Sequence, residues 1–275
     1  MSETDTSLPA CDPSALTGTS QAGLTRRSFL ISAAGFALTA AFGCGRSSDP
    51  AYSTVVVTVF DVSASTSMAA IKKRYLADFQ TIVNGLDGSA FLSGYPITGN
   101  TAATSMARIG QPFPAYSPWQ DNKDQYAAKL AQARISAVQQ AGALLADVQT
   151  APATDLLNAF HDAANVFNGE AYRSAPTKRL VIFSDMLQQA DKDDFLSEDL
   201  TAQKTRQIIT DQRAAGQLPS LKGVRAWAAG ATADPKGRIG SAKIAQIRQF
   251  WISFFHDCGA ELTTERYETT LQNYP

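Results

Sequence analysis

The sequence predicts an α/β domain built on a doubly wound, mostly parallel central sheet, with one antiparallel edge strand and helices on both faces. Two observations carry this. Short apolar runs, Thr54 to Phe60 and Lys178 to Ser184, are rich in branched residues and each ends in a polar turn, as strands buried on both faces do. Between and beyond them, segments with helical spacing alternate with further strand candidates, the pattern of parallel strands joined by crossover helices. Of 275 residues, 44% are hydrophobic. With an N-terminal segment set aside, about 230 remain, enough for one large domain with its own core.

The elements follow in order. Thr54 to Phe60 is the central strand, and Asp61 follows it at once. Met68, Ile71, Tyr75, Phe79, Ile82 and Val83 fall on one helical face before Asn84-Gly85 stops the helix. Ser89 to Ile97 and Thr104 to Ile109 are weaker strand candidates; the short Thr98-Gly99-Asn100 link suits an antiparallel pair at one sheet edge. Gln111 to Asp121, with three prolines, Tyr116 and Trp119, reads as an irregular surface loop. Gln125 to Val148 is an Ala-rich helix, Pro152 ends it, and a second helix runs from Asp155 to Phe167, with Thr154 in the turn between. Strand Lys178 to Ser184 leads into Asp185. A charged, solvated loop (Asp191 to Asp199), a helix (201 to 215), a strand (Gly223 to Ala229), a long helix (Ser241 to His256) and a last strand (Glu261 to Tyr267) complete the body.

The first 43 residues have another character. Thr25-Arg26-Arg27-Ser28-Phe29-Leu30 precedes an Ala/Gly/Thr-rich apolar stretch ending at Gly43. At about 15 residues it is short for a bilayer core. It resembles a twin-arginine export signal, with Arg26 and Arg27 as the pair. Ala41-Phe42-Gly43-Cys44 resembles a bacterial lipobox, which implies lipidation of Cys44; simple cleavage and an uncleaved anchor stay open. The expected organisation is therefore a signal segment (1–43), a lipidated tether (44–53) and a domain (54–270). The expected location is the bacterial cell envelope, with a lipid anchor on the outer side of the cytoplasmic membrane or in the periplasm.

Of the three cysteines only Cys258 belongs to the body, so neither a disulfide framework nor a Cys-rich metal site is expected. Residues 1–43 hold two Arg and three acids, leaving 22 basic and 22 acidic residues. That balance gives no polyelectrolyte signature for nucleic acid. Nucleotide-binding glycine fingerprints are absent from the sequence.

The chemistry concentrates at the polar turns. Asp61, Ser63 and Ser65 present oxygen side chains at alternate positions just past a buried strand, where adjacent loops of such a sheet diverge. Hard oxygen donors suit Mg²⁺ or Mn²⁺. Taken alone, the same three residues also suit a cap for the helix beginning near Met68. Asp-x-Ser-x-Ser after a buried strand, Thr154 before a helix and Asp185 after a later strand together resemble the metal-ion-dependent adhesion site of the von Willebrand factor A family. The resemblance spans about Val55 to Tyr267. It implies that Ser63 and Ser65 ligate the ion directly, Thr154 directly or through water, and Asp61 and Asp185 through bound water or themselves. It further implies an open position that takes a carboxylate from an acidic protein ligand, and no enzymatic role. Met186 and Ala153 stand where many members have Gly. Other uses of the turns remain open: a metal-assisted hydrolase on the same ion, a purely structural ion, or a phosphatase-like site with Asp61 as nucleophile, although Ser63 stands where that chemistry wants a second carboxylate. Asp155 reads as a first-turn acid, and His161 and His256 lack partners at zinc spacing.

Overall fold

The computed structural model describes residues 52–99, 107–147, 153–190, 193–231, 237 and 239–275. Arg26, Arg27 and Cys44, and with them the signal and most of the tether, lie outside the described residues, as do Thr104, Asp191 and Lys192.

Thr54 to Asp61 forms β1, and every residue after Thr54 in it is buried, as its unbroken apolar run requires. The chain continues through α1 (Ala69–Gly85), β2 (Ala90–Ile97), β3 (Ile109–Pro112), α2 (Lys123–Asp147), α3 (Leu156–Asn168) and β4 (Thr177–Phe183). Then come the small hairpin β5 (Gln189–Ala190) and β6 (Asp193–Asp194), α4 (Ala202–Ala214), β7 (Val224–Ala229), α5 (Ser241–Asp257), a 3₁₀ turn (Thr264–Arg266) and β8 (Tyr267–Glu268). The main sheet has the order β3-β2-β1-β4-β7-β8. All neighbours are parallel except β2 with β3. This is the mixed α/β sheet with one antiparallel edge strand that the sequence predicts.

Alternation along β1 divides the core. Val55, Val57 and Val59 pack with α3 and with Phe250, Trp251 and Phe254 of α5. Val56 and Phe60 pack with Tyr75 and Phe79 of α1 and with Ala137 and Ala141 of α2. Helices thus cover both faces, the condition under which parallel strands can be apolar throughout. Among the described residues no helix is long and apolar enough to cross a membrane.

Three expectations are corrected. The expected antiparallel edge pair forms, with β2 also parallel to β1, but its outer strand is Ile109–Pro112, reaching into the Pro-containing stretch read as irregular. Pro112 is tolerated because β3 is an edge strand, where a missing N–H leaves no ladder position empty. Pro96, within β2, lies past the end of β3, which pairs only with Phe91 to Gly94. The strand expected over Glu261 to Tyr267 reduces to one bridge between Arg225 and Glu261, the 3₁₀ turn and the two residues of β8. Its continuous polar run Thr263-Thr264-Glu265-Arg266 interrupts the apolar pattern a longer buried strand would need. The loop expected to be solvated is pinned by buried Phe195 and Asp193. The tail past residue 270 also packs, with the Leu271 N–H donating to Asp78 Oδ2 (3.1 Å) and Tyr274 against Trp227.

Candidate metal centre

The chain leaves β1 toward β2 on one side, while β4 lies on the other, so the strand order reverses between β1 and β4. At such a reversal the connections beyond the carboxyl ends diverge, which is where ligands bind in open sheets of this kind. Phe60 pairs with Phe183, which sets Asp61 beside Ser184-Asp185 across that reversal.

Asp61 is buried and held from both sides. Its Oδ1 accepts the Ser63 N–H (2.9 Å), and its Oδ2 accepts the Ser184 hydroxyl (2.7 Å). Thr66 Oγ1 closes the turn by donating to the Asp61 carbonyl (2.8 Å), with the Ser63 carbonyl at 3.2 Å. Ser63 is buried and Ser65 half-buried, and their hydroxyls lie 3.0 Å apart. None of these side chains caps α1, whose N-cap is Met68 with no side-chain bond. The capping alternative therefore fails, while the Ser63 N–H to Asp61 Oδ1 bond forms the Asx turn that the same residues also suit.

Asp185 is 6% exposed, and its Oδ1 accepts the Leu187 N–H (3.2 Å). Between them Met186 adopts φ +64°, the left-handed region that a glycine would take without strain. Its N–H donates to Ser184 Oγ (2.9 Å), and its carbonyl accepts the indole N–H of Trp251 (2.9 Å). Thr154 arrives from another part of the chain. Its carbonyl accepts the Gln189 N–H (2.9 Å), and the next N–H, of Asp155, donates to the Thr98 carbonyl (3.0 Å) at the end of β2. Gly99 passes so close to this turn that a Cβ would lie 3.2 Å from Ala153 Cβ. Asp155 is the N-cap of α3, accepting the Asn158 N–H at Oδ1 (3.3 Å).

The donors fit a divalent cation. Thr154 Oγ1 is fully enclosed and has no hydrogen-bond partner among the described residues, an arrangement that calls for a ligand or water because a buried hydroxyl is otherwise costly. Burial pushes the Asp61 carboxyl above the usual carboxylate range, against the lowering effect of its bonds from Ser63, Ser184 and Thr66. A cation would offset that penalty by favouring the charged form. The buried Tyr75 and Tyr267 hydroxyls are raised as well, first by burial and then by Asp61 and Asp185 for Tyr75, and by Asp185 for Tyr267. Two carboxylates and three hydroxyls are a hard-oxygen set. Among the described residues no three His, Cys, Asp or Glu side chains gather as an alternative centre. His161 is engaged with the Gln217 carbonyl, and His256 is exposed. Cys258 is buried, and desolvation raises its thiol to about 12, which leaves it a packed, unreactive side chain.

Three residues of this loop cluster are not marked by the sequence motif: Thr66, Ser184 and Gln188. Ser184 was accessible in principle, since parallel pairing of the two strand ends sets it beside Asp61. Thr66 and Gln188 act through bonds to backbone that no motif encodes.

No protein-family model and no curated protein matches the chain. Among solved structures it is similar to a von Willebrand factor type A protein from Catenulispora acidiphila, at 15% identity and a TM-score of 0.34, over 76% of this chain and 43% of that one. It is also similar to proximal thread matrix protein 1 from the mussel byssus, at 14% identity and a TM-score of 0.37, over 82% of this chain and 43% of that one. In both cases the chain spans less than half the length of the structure it is compared with, and the similarity concerns the fold alone.

Proposed function

We propose that this chain is a divalent-cation-dependent binding module, holding Mg²⁺ or Mn²⁺ through Asp61, Ser63, Ser65, Thr154 and Asp185 and gripping a carboxylate of an acidic protein ligand through the ion. One observation supports the reading: Asp61 and Asp185 are buried at the ends of neighbouring parallel strands, the Ser63 and Ser65 hydroxyls lie 3.0 Å apart, and the Thr154 hydroxyl is enclosed with no hydrogen-bond partner among the described residues. Asp61 and Asp185 supply charge that balances the ion, and the hydroxyls supply neutral donors. Such a set leaves octahedral positions for water or an incoming carboxylate. Ser65, the most exposed of the five, marks the side from which a ligand approaches. No observation favours the hydrolase alternative over binding.

Mn²⁺ bound to the protein tests this through the relaxation of water protons. The open position predicts enhanced relaxation that falls when a Glu-containing peptide is added, with no such fall for the Gln analogue. A bound ion whose relaxation neither peptide changes would leave only a structural role.

The N-terminal Arg26-Arg27 and Cys44 patterns support export and lipid anchoring at the cell envelope as part of the same proposal. Lys at both arginines is expected to retain the precursor in the cytoplasm, and Cys44→Ser to remove acyl mass. Unchanged export and mass would remove that part.

A further inference from the structure

We propose that Gln188 is the positioning residue of this centre, fixing Thr154 relative to Asp185 by capping α3 from the Asp185 loop. The inference rests on the cation reading above. Thr154 and Asp185 belong to different segments, and an ion can use both only if their separation is held closely. The first N–H groups of a helix have no partner within it. The local cap, Asp155, takes the Asn158 N–H and leaves those of Leu156 and Leu157. Both donate to Gln188 Oε1, at 2.8 and 3.3 Å. Because both neighbours are donors, the amide is oriented with its oxygen toward the helix. The adjacent Gln189 N–H to Thr154 carbonyl bond extends the same seam, and the Phe195 N–H donates to the Gln188 carbonyl (3.0 Å), anchoring the residue from behind.

Gln188 is 1% exposed, and its Nε2 has no hydrogen-bond partner among the described residues. That unmet donor opposes stability, yet an apolar side chain would remove it only by leaving the Leu156 and Leu157 N–H groups without their acceptor. The position is therefore better explained by placement of the Thr154 turn than by core packing.

The test compares Mn²⁺ affinity of the full chain with that of Gln188→Met, similar in volume but without the acceptor, and Gln188→Glu, which keeps it. Retained near-ultraviolet circular dichroism at the working temperature secures folding. Met is expected to weaken binding about 10- to 100-fold, the range for outer-shell partners of metal ligands. Glu, still accepting both N–H groups, is expected to bind at least as tightly as Gln to within about threefold. Wild-type affinity in Gln188→Met, or equal losses in both variants, overturns the proposal while leaving the cation reading in place. A wild-type protein that takes up no ion overturns both.

Discussion

Met186 isolates a conflict between backbone and side chain. Its φ of +64° is costly for a residue with a Cβ, yet the side chain is fully buried in the core. Removing the side chain loses more than the strain returns, so both Met186→Ala and Met186→Gly are expected to destabilise. Between them the ordinary order reverses: Gly should exceed Ala by about 1 kcal/mol, because only Ala keeps a Cβ in the left-handed region. Chemical denaturation of the two variants decides it, and Ala more stable than Gly contradicts the assignment. Asp162 is a second residue under tension. It is half-buried, and one oxygen is enclosed without a hydrogen-bond partner among the described residues. Burial, reinforced by Asp155 and opposed by His161, raises its pKa to about 6. A raised acid stabilises the fold below its unfolded pKa near 4 and loses that contribution as pH rises through about 6. Asp162→Asn should therefore gain about 1 kcal/mol over wild type at pH 7, after allowance for solvent screening, and nothing at pH 3. Equal pH profiles of unfolding would contradict this.

Elements meet at the site through close backbone approaches. At Gly230, just past β7, φ is +103°, and a Cβ would lie 2.5 Å from the Tyr75 hydroxyl and 2.9 Å from the Ser184 carbonyl. Neither neighbour can yield freely, since Tyr75 is buried in α1 and Ser184 holds Asp61. Gly230→Ala is expected to cost about 2–4 kcal/mol through strain and overpacking. It should also weaken Mn²⁺ binding, because the displaced loop carries Asp185. A stable variant with unchanged affinity would show that β7 does not support the site. The elements also show what sequence can reveal. β1 and β4 were legible because strands buried on both faces must be apolar without interruption. The edge position and antiparallel pairing of β3 were legible but its bounds were not, because Pro112 argues against a strand everywhere except an edge, and the register with β2 sets where the strand ends. The last strand was expected too long: of Glu261 to Tyr267 only Tyr267 lies in β8, which pairs with β7 over two residues.

For the whole molecule, strand order turns separate polar turns into neighbours. Asp61 and Asp185 could be matched to a sequence motif because each stands at the end of an unbroken apolar run. Their junction through Ser184, and the seam from Gln188 to α3, depend on which strands are adjacent and in what register, which spacing alone does not encode. The polar turns were thus readable as candidates, and the bonds between them only from the fold. A ligand that binds only the folded state raises its stability by RT ln(1 + [L]/Kd), about 2.7 kcal/mol at a hundredfold excess over Kd. Loading the ion should accordingly raise the unfolding temperature as well as create the ligand position. The most direct measurement is calorimetric titration of the chain with Mg²⁺ and Mn²⁺ beside Asp61→Ala and Asp185→Ala. The wild-type chain is expected to take up one saturable ion and each variant none; a folded wild type that takes up neither ion would overturn the cation reading.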